Sequence, residues 1–391
     1  MKKDILFHIR AGYLMLKRRI LNHRFRKDHK LDKSVNEILK ESINKNFESF
    51  FSPGLGHFED FYIRDFAWVI DSLINLNYKE EVDKTLSFVL KSYYENDRIT
   101  TSITKNNSVY DFPTYAIDSL PYLIYCINKS DYNLNKKEKL FLKSKINEFY
   151  NHIDKGFVDK NKFFSSMADH KVRNSSLYSN TMHYLLSVEI QKLGLKPKFF
   201  PKQISKNVIK EFWNGSYYYD DLSKKSYISA DAQIFPFWTG LDSNPSRLKK
   251  VIELMKKEKL DNPIPLRYHK KELFENYSIF NHIINMFKKT NIPKYHAESI
   301  FCYRYETDPI WTLLGINYFH VLNKFHQKTN QTFFLDELKN GLKKYNNIIL
   351  KYGTLYELYE NKKPFKSLLY FSEEDIIWGA KILDLNKKYK L

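Results

Sequence analysis

The chain has 391 residues, 64 basic against 45 acidic side chains, a net charge of +19, and 43% hydrophobic and 16% aromatic residues. That content excludes general disorder, and 11 glycines with 12 prolines are too few for the turns of an all-β sandwich. Cys126 and Cys302 alone exclude a disulfide framework and a Cys-built zinc site, and they point to a reducing, cytoplasmic setting. The basic excess is spread along a Lys-, Asn-, Ile- and Tyr-rich chain, so it reads as surface charge and not as a nucleic-acid-binding face.

Residues 4–26 have the pattern of a cationic amphipathic helix, with Ile5, Ile9, Tyr13, Leu16 and Ile20 along one side. Its longest uncharged stretch, Ala11 to Leu16, is too short to cross a membrane. Such a helix packs on the outside of a domain, its commoner use, or lies on an anionic membrane surface and makes the protein peripheral to the membrane. Residues 1–32 are therefore set apart from a single domain over 33–391.

From Lys33 onward the periodicity is helical almost throughout, giving about a dozen helices and no convincing strand pairs. Phe66 to Ile74 and Val82 to Tyr93 mark two of them, and Leu335 to Ile349 and Ile376 to Leu383 mark the last two. Asn244-Pro245 and Asp308-Pro309 read as an N-cap before an N1 proline, and Ser372 to Asp375 reads as a capping box. Short connections near 77–80, 129–135, 194–202 and 327–332 alternate with long ones near 51–64, 96–113, 155–176, 214–231, 290–307 and 352–372. Short connections make antiparallel helical hairpins, which sends every long connection to one face. Six such hairpins describe an all-α, (α/α)6 toroid with an extra N-terminal amphipathic helix.

Each long connection holds a carboxylate within a few residues of Tyr, Phe or Trp. Aromatic faces stack on the apolar C–H faces of a pyranose, and carboxylates and Arg take its hydroxyls, so the mixture suits a sugar. These segments resemble those of the six-hairpin glycosidases, the group containing glucoamylases, the glucosidase part of glycogen-debranching enzymes and processing α-glucosidases. Tyr62-Ile-Arg64-Asp65-Phe-Ala-Trp68 resembles the family's W-x-R-D segment, and Tyr115-Ala-Ile-Asp118-Ser119 the opening of its next inner helix. Ala168-Asp169-His170 with Tyr178-Ser-Asn180 resembles W-x-D followed by Y-x-N-A. Glu306-Thr-Asp308-Pro-Ile-Trp311 resembles a late G-x-x-W-P stretch, and Tyr356-Glu357-Leu358 resembles the C-terminal E-x segment. The family's Trp before the acidic Asp is replaced by Ser166-Met167-Ala168, and the Gln of its last motif is lost within Phe371 to Glu374.

The resemblance implies an inverting glycoside hydrolase on an α-glucoside-like oligosaccharide or polysaccharide, and the dead-end pocket expected of the toroid makes it exo-acting. In it Asp169 is the general acid, kept protonated by a wall such as Phe163, Phe164 and Met167, and Glu357 is the base, with Glu360 as its near rival. Arg64 and Asp65 hold the sugar, with Trp68, Tyr115, Asp118, His170 and Tyr178 beside them. An ordinary alternative makes Asp65 a helix cap and Asp169 a cap or the partner of Lys171 or Arg173. Asp231 and Glu298 line the site or replace the acid, and Trp213, Trp238 and Trp311 are stacking or core residues. A lone His296–Glu298 pair holds no metal, and neither a P-loop nor a G-x-G-x-x-G motif supports a nucleotide, so no cofactor is expected. Two other classes fit the same loops: a polysaccharide lyase using Tyr and His (His57, His170, Tyr178, His296), and a non-catalytic glycan-binding protein.

Overall fold

The computed structural model describes residues 2–21, 33–112, 114–169, 171, 173–274, 278–289 and 300–391. Among these residues are fourteen α-helices, while strands of two or three residues occur only in the connections. Those strands correct the expectation of no strand pairs, since ladders this short carry no alternating pattern to read. The chain forms two compact units, Met1–Phe47 with Ser52–Glu59 and Met255–Leu391, and Glu48–Phe51 with Asp60–Leu254. Helices α1 (Lys2–Leu21) and α2 (Val35–Lys45) belong to the first.

The second unit is a run of hairpins: α3 (Ile63–Asn75) with α4 (Lys79–Glu95), α5 (Ser119–Ser130) with α6 (Lys136–Phe149), α7 (Leu177–Lys192) with α8 (Pro201–Phe212), and α9 (Ala230–Thr239) leading into α10 (Pro245–Lys257). Helix α3 packs on α5, α5 on α7 and α7 on α9, so the odd-numbered helices form one layer. Their sequences say why: α7 is buried at Leu177 to His183 without a break, and α9 from Ala230 to Trp238, whereas α8 buries only Ile204, Val208 and Phe212. A helix without a charged face, as α7 is from Leu177 to Val188 and α9 is but for Asp231, can be covered on every side, and a one-striped helix can face water. Helix α6 opens with a capping box between Asn135 and Glu138. The Asn244 cap is as expected, its side chain accepting from the N–H groups of Ser246 (2.9 Å) and Arg247 (3.1 Å).

The first unit contains α11 (Ile279–Lys289), the hairpin of α12 (Thr312–Thr329) with α13 (Thr332–Tyr352), and α14 (Gly379–Tyr389), which packs on α2. Two expected helix starts are misplaced here. Helix α12 is capped at Trp311 and α14 at Trp378, so Asp308-Pro309 and Ser372–Asp375 both precede the helices they were read as opening. Among the described residues no helix is long and apolar enough to cross a membrane, and no group of metal-ligating side chains forms.

Helix α1 packs within this unit through Phe7, Ala11, Gly12 and Arg18. A Cβ on Gly12 would lie 2.5 Å from the Phe301 ring, so glycine admits that ring against the helix. Of the expected stripe, Ile9, Tyr13 and Ile20 are exposed and Leu16 is half-buried. Residues 22–26 of the expected helix lie outside the described residues.

Candidate active site

In the second unit, the connection before α3 ends in the strand Phe61–Tyr62, which pairs with Ser102–Ile103 and fixes the start of the helix. Tyr62 is its N-cap, so Asp65 is a first-turn residue rather than the cap. One position earlier, Arg64 is buried and donates to both oxygens of Asp169, Nη1 to Oδ2 at 2.8 Å and Nη2 to Oδ1 at 3.0 Å. Its Nε lies 2.7 Å from Asp118 Oδ2, an ion-pair contact off the hydrogen-bond axis. Burial disfavours the guanidinium charge, but the two carboxylates outweigh it and raise its pKa.

Asp118 is the N-cap of α5, yet its side chain makes no capping bond. It accepts instead from Tyr178 Oη at 2.8 Å. Tyr178 meets Tyr122 Oη at 3.1 Å, and Trp68 Nε1 donates to Tyr122 Oη at 2.9 Å. A capping residue diverted from its own helix gives up a local stabilisation of about 1 kcal/mol for this contact. Asp169, 22% exposed at its side chain, is the end of the network that reaches solvent. A guanidinium meets its carboxylate, and Phe164, one of the residues expected to wall it, stands edge-on to Tyr115 and His152.

Lys171 and Arg173 serve a second carboxylate group. Arg173 Nη1 lies 2.9 Å from Asp220 and 2.7 Å from Asp231, its Nη2 donates to Ser166 Oγ at 3.0 Å, and Lys171 Nζ is 2.9 Å from Asp220. Burial opposes the Asp220 charge, but Lys171 and Arg173 hold its carboxyl well below the usual range. Asp231, fully buried in the first turn of α9, is therefore engaged as an ion-pair partner.

In the first unit, Glu357 follows α13 and precedes the strand Leu358–Glu360, which pairs with Ile310–Trp311. Its carboxylate is buried in an aromatic collar, accepting from Tyr305 Oη on one oxygen and from Tyr370 Oη (2.6 Å) and the Glu373 N–H (3.3 Å) on the other. Burial raises its pKa against these donors and His57, whose Nε2 is 3.9 Å away and 2.8 Å from Tyr370 Oη. The Tyr370 hydroxyl is itself pushed up by burial and by Glu357, which keeps it a donor. Behind the collar, Glu373 accepts from the N–H groups of Gly56 (2.7 Å) and His57 (3.0 Å), and His57 Nδ1 lies 2.8 Å from it. A Cβ on Gly56 would come within 2.6 Å of Glu373 Oε1, so the close approach requires glycine.

Arg64, Asp118, Asp169, Tyr178 and Trp68 thus form one connected network, with Asp65 on the same helix. Tyr115 lies tilted against His152, with ring centroids 4.3 Å apart. Trp311 is buried and braces Tyr305, its Nε1 donating to the Tyr305 carbonyl at 2.9 Å. Glu360, with 43% of its side chain exposed, faces Arg304 at 3.6 Å. His170, Glu298 and His296 lie outside the described residues. Tyr305, Tyr370 and Glu373 were not among the expected site residues, and no local pattern marks these two tyrosines among the 29 of the chain.

No family model and no curated protein matches the sequence. Solved structures do. A glycosidase in complex with glucose matches with a TM-score of 0.61 at 9% identity, over 91% of this chain and 97% of that one. The GH63 mannosylglycerate hydrolase of Thermus thermophilus, in complex with Tris and D-glycerate, matches with a TM-score of 0.57 at 10% identity, over 90% of this chain and 100% of that one. A rhamnosidase from Klebsiella oxytoca with rhamnose bound matches with a TM-score of 0.57 at 11% identity; the match covers 91% of this chain and spans 63% of the rhamnosidase. The fold is the six-hairpin, (α/α)6 class expected from the sequence.

Proposed function

We propose that the protein hydrolyses a glycosidic bond, with Glu357 as general base and Asp169 as general acid. The observation that carries this reading is the Glu357 carboxylate: buried, raised in pKa, and oriented on both oxygens by donors. A base buried in this way is a stronger proton acceptor than an exposed one and is held in one rotamer, which is what activating a water requires. The three solved structures of like fold described above are glycosidases, two of them with glucose or rhamnose bound, which supports a neutral sugar as substrate. Within this reading the enzyme is exo-acting and inverting, takes an α-glucoside-like oligosaccharide or polysaccharide and no nucleic acid, and works in the cytoplasm.

The acid requires one exchange. Asp169 accepts two hydrogen bonds from Arg64 and is then a carboxylate without a proton to give. Arg64 keeps Asp118 as a second partner at 2.7 Å, so releasing Asp169 to an arriving sugar does not strand a buried cation. A second reading reverses the roles, and burial favours it, because a raised carboxyl also suits an acid. Reducing-sugar release from α- and β-linked oligosaccharides tests the proposal. Release by the native chain that falls about 10²–10⁴-fold in Asp169→Asn and in Glu357→Gln supports it. Activity retained in both variants, or an ultraviolet-absorbing unsaturated product, would sink it in favour of other residues or a lyase.

A further inference from the structure

Helix α1 has apolar residues on two faces, and only one is used inside its own unit. On the inner face Phe7 and Ala11 are buried, and Arg18, 8% exposed, donates to the Ser372 carbonyl at 3.0 Å, pairs with Glu374 and lies over the Phe371 ring. On the outer face Leu6, Ile9 and Tyr13 are 65%, 56% and 59% exposed, and Ile20, near the helix end, is 63% exposed. Spacings of three and four residues put Leu6, Ile9 and Tyr13 on one side of the helix. Large apolar side chains grouped in this way differ from the scattered exposure of ordinary surfaces.

The rim of this face is basic. Lys17 is exposed on the same side of the helix, and Arg19 donates through Nε to the Ser367 carbonyl at 2.9 Å. That bond brings in a loop carrying the exposed Lys362, Lys363 and Leu368, the last 59% exposed. Burial and the nearby Arg19 lower the Lys366 ammonium below its ordinary range.

We propose that the outer face of α1, with the adjoining 362–368 loop, docks on an anionic phospholipid bilayer. The helix lies in the interface plane with Leu6, Ile9, Tyr13, Ile20 and Leu368 toward the acyl chains. Lys17, Arg19, Lys362 and Lys363 meet the lipid phosphates. A second copy of the chain is the poorer occupant, because a symmetric pair would set two basic rims against each other. Arg18 roots the helix from its opposite face, so the docking element is fixed to the unit that carries it and is not a loose tail.

The test is co-sedimentation of the full chain with vesicles of equimolar phosphatidylglycerol and phosphatidylcholine, and with phosphatidylcholine alone. The native protein is expected to sediment with the anionic vesicles and not with the neutral ones. Leu6→Glu, Ile9→Glu and Tyr13→Glu together should weaken binding at least about tenfold while circular dichroism and Tm stay native. Lys362→Glu with Lys363→Glu should weaken it too, as should added salt. No sedimentation of the native chain with anionic vesicles overturns the proposal, as does a triple variant that binds like the native chain. A native dimer that ignores vesicles and that the triple variant makes monomeric overturns it in favour of self-association. None of these outcomes bears on sugar hydrolysis.

Discussion

Replacing Glu373 by Gln removes a fully buried negative charge while keeping the side chain's shape. Burial alone would push this carboxyl up. The His57 ring at 2.8 Å, Arg18 at 3.7 Å, and the N–H groups of Gly56 and His57 outweigh it and hold the carboxyl at about 2. Against an ordinary value of 4.5, at about 1.4 kcal/mol per pH unit, the charge contributes about 3 kcal/mol of stability at neutral pH. Because the folded value is the lower one, this stability is complete above about pH 5 and is lost as pH falls toward 2. Urea denaturation of native protein and Glu373→Gln at pH 7 and pH 3 reads it directly. The variant should be about 3 kcal/mol less stable at pH 7, and the gap should narrow by about 2 kcal/mol at pH 3. An equal gap at both pH values would refute the ion-pair reasoning and leave only lost packing.

Glu357→Gln should act in the opposite sense on stability. Its folded pKa is raised, so ionising it weakens the fold as pH rises, and the variant should keep or raise its Tm at pH 7 while losing sugar release; a lower Tm would show that the carboxylate is structural. Arg64→Lys cannot hold Asp169 with two hydrogen bonds and still meet Asp118, so kcat/KM should fall about 10–100-fold in steady-state assays. Asp111 is buried, which pushes its carboxyl to about 6 despite Arg98, so the fold bears a cost above that pH. Chemical denaturation of Asp111→Asn should show a stability advantage over native that grows by about 2 kcal/mol from pH 4 to pH 8, and a flat difference would contradict it.

The fold was legible because long helices repeat their pattern many times. The 3.6-residue period runs through α3, α4, α7 and α13, and the short connections at 76–78 and 330–331 fall close to where composition placed them. One of the two misplaced starts has a cause visible in the fold. Ser372–Asp375 has the composition of a capping box, but Glu373 finds the N–H groups of Gly56 and His57, more than 300 residues away in sequence. A local signature carries no information about such a partner. The stripe of α1 was legible as a stripe but not as exposed, since periodicity shows which residues share a face and not what covers it. Tyr305 and Tyr370 escaped because, in a chain with 29 tyrosines, nothing local singles out the two that reach Glu357.

The proposed division of labour between Asp169 and Glu357 is tested by a substrate that needs no acid. Fluoride leaves without protonation, so α-glucosyl fluoride isolates the base from the acid. Hydrolysis of this fluoride and of a matched alkyl α-glucoside by native protein, Asp169→Asn and Glu357→Gln is the decisive comparison. Asp169→Asn is expected to keep the fluoride reaction and to lose the glucoside reaction about 10²–10⁴-fold, while Glu357→Gln loses both and the native product forms with inverted configuration. The opposite pattern, or native rates in either variant on the glucoside, would contradict these roles.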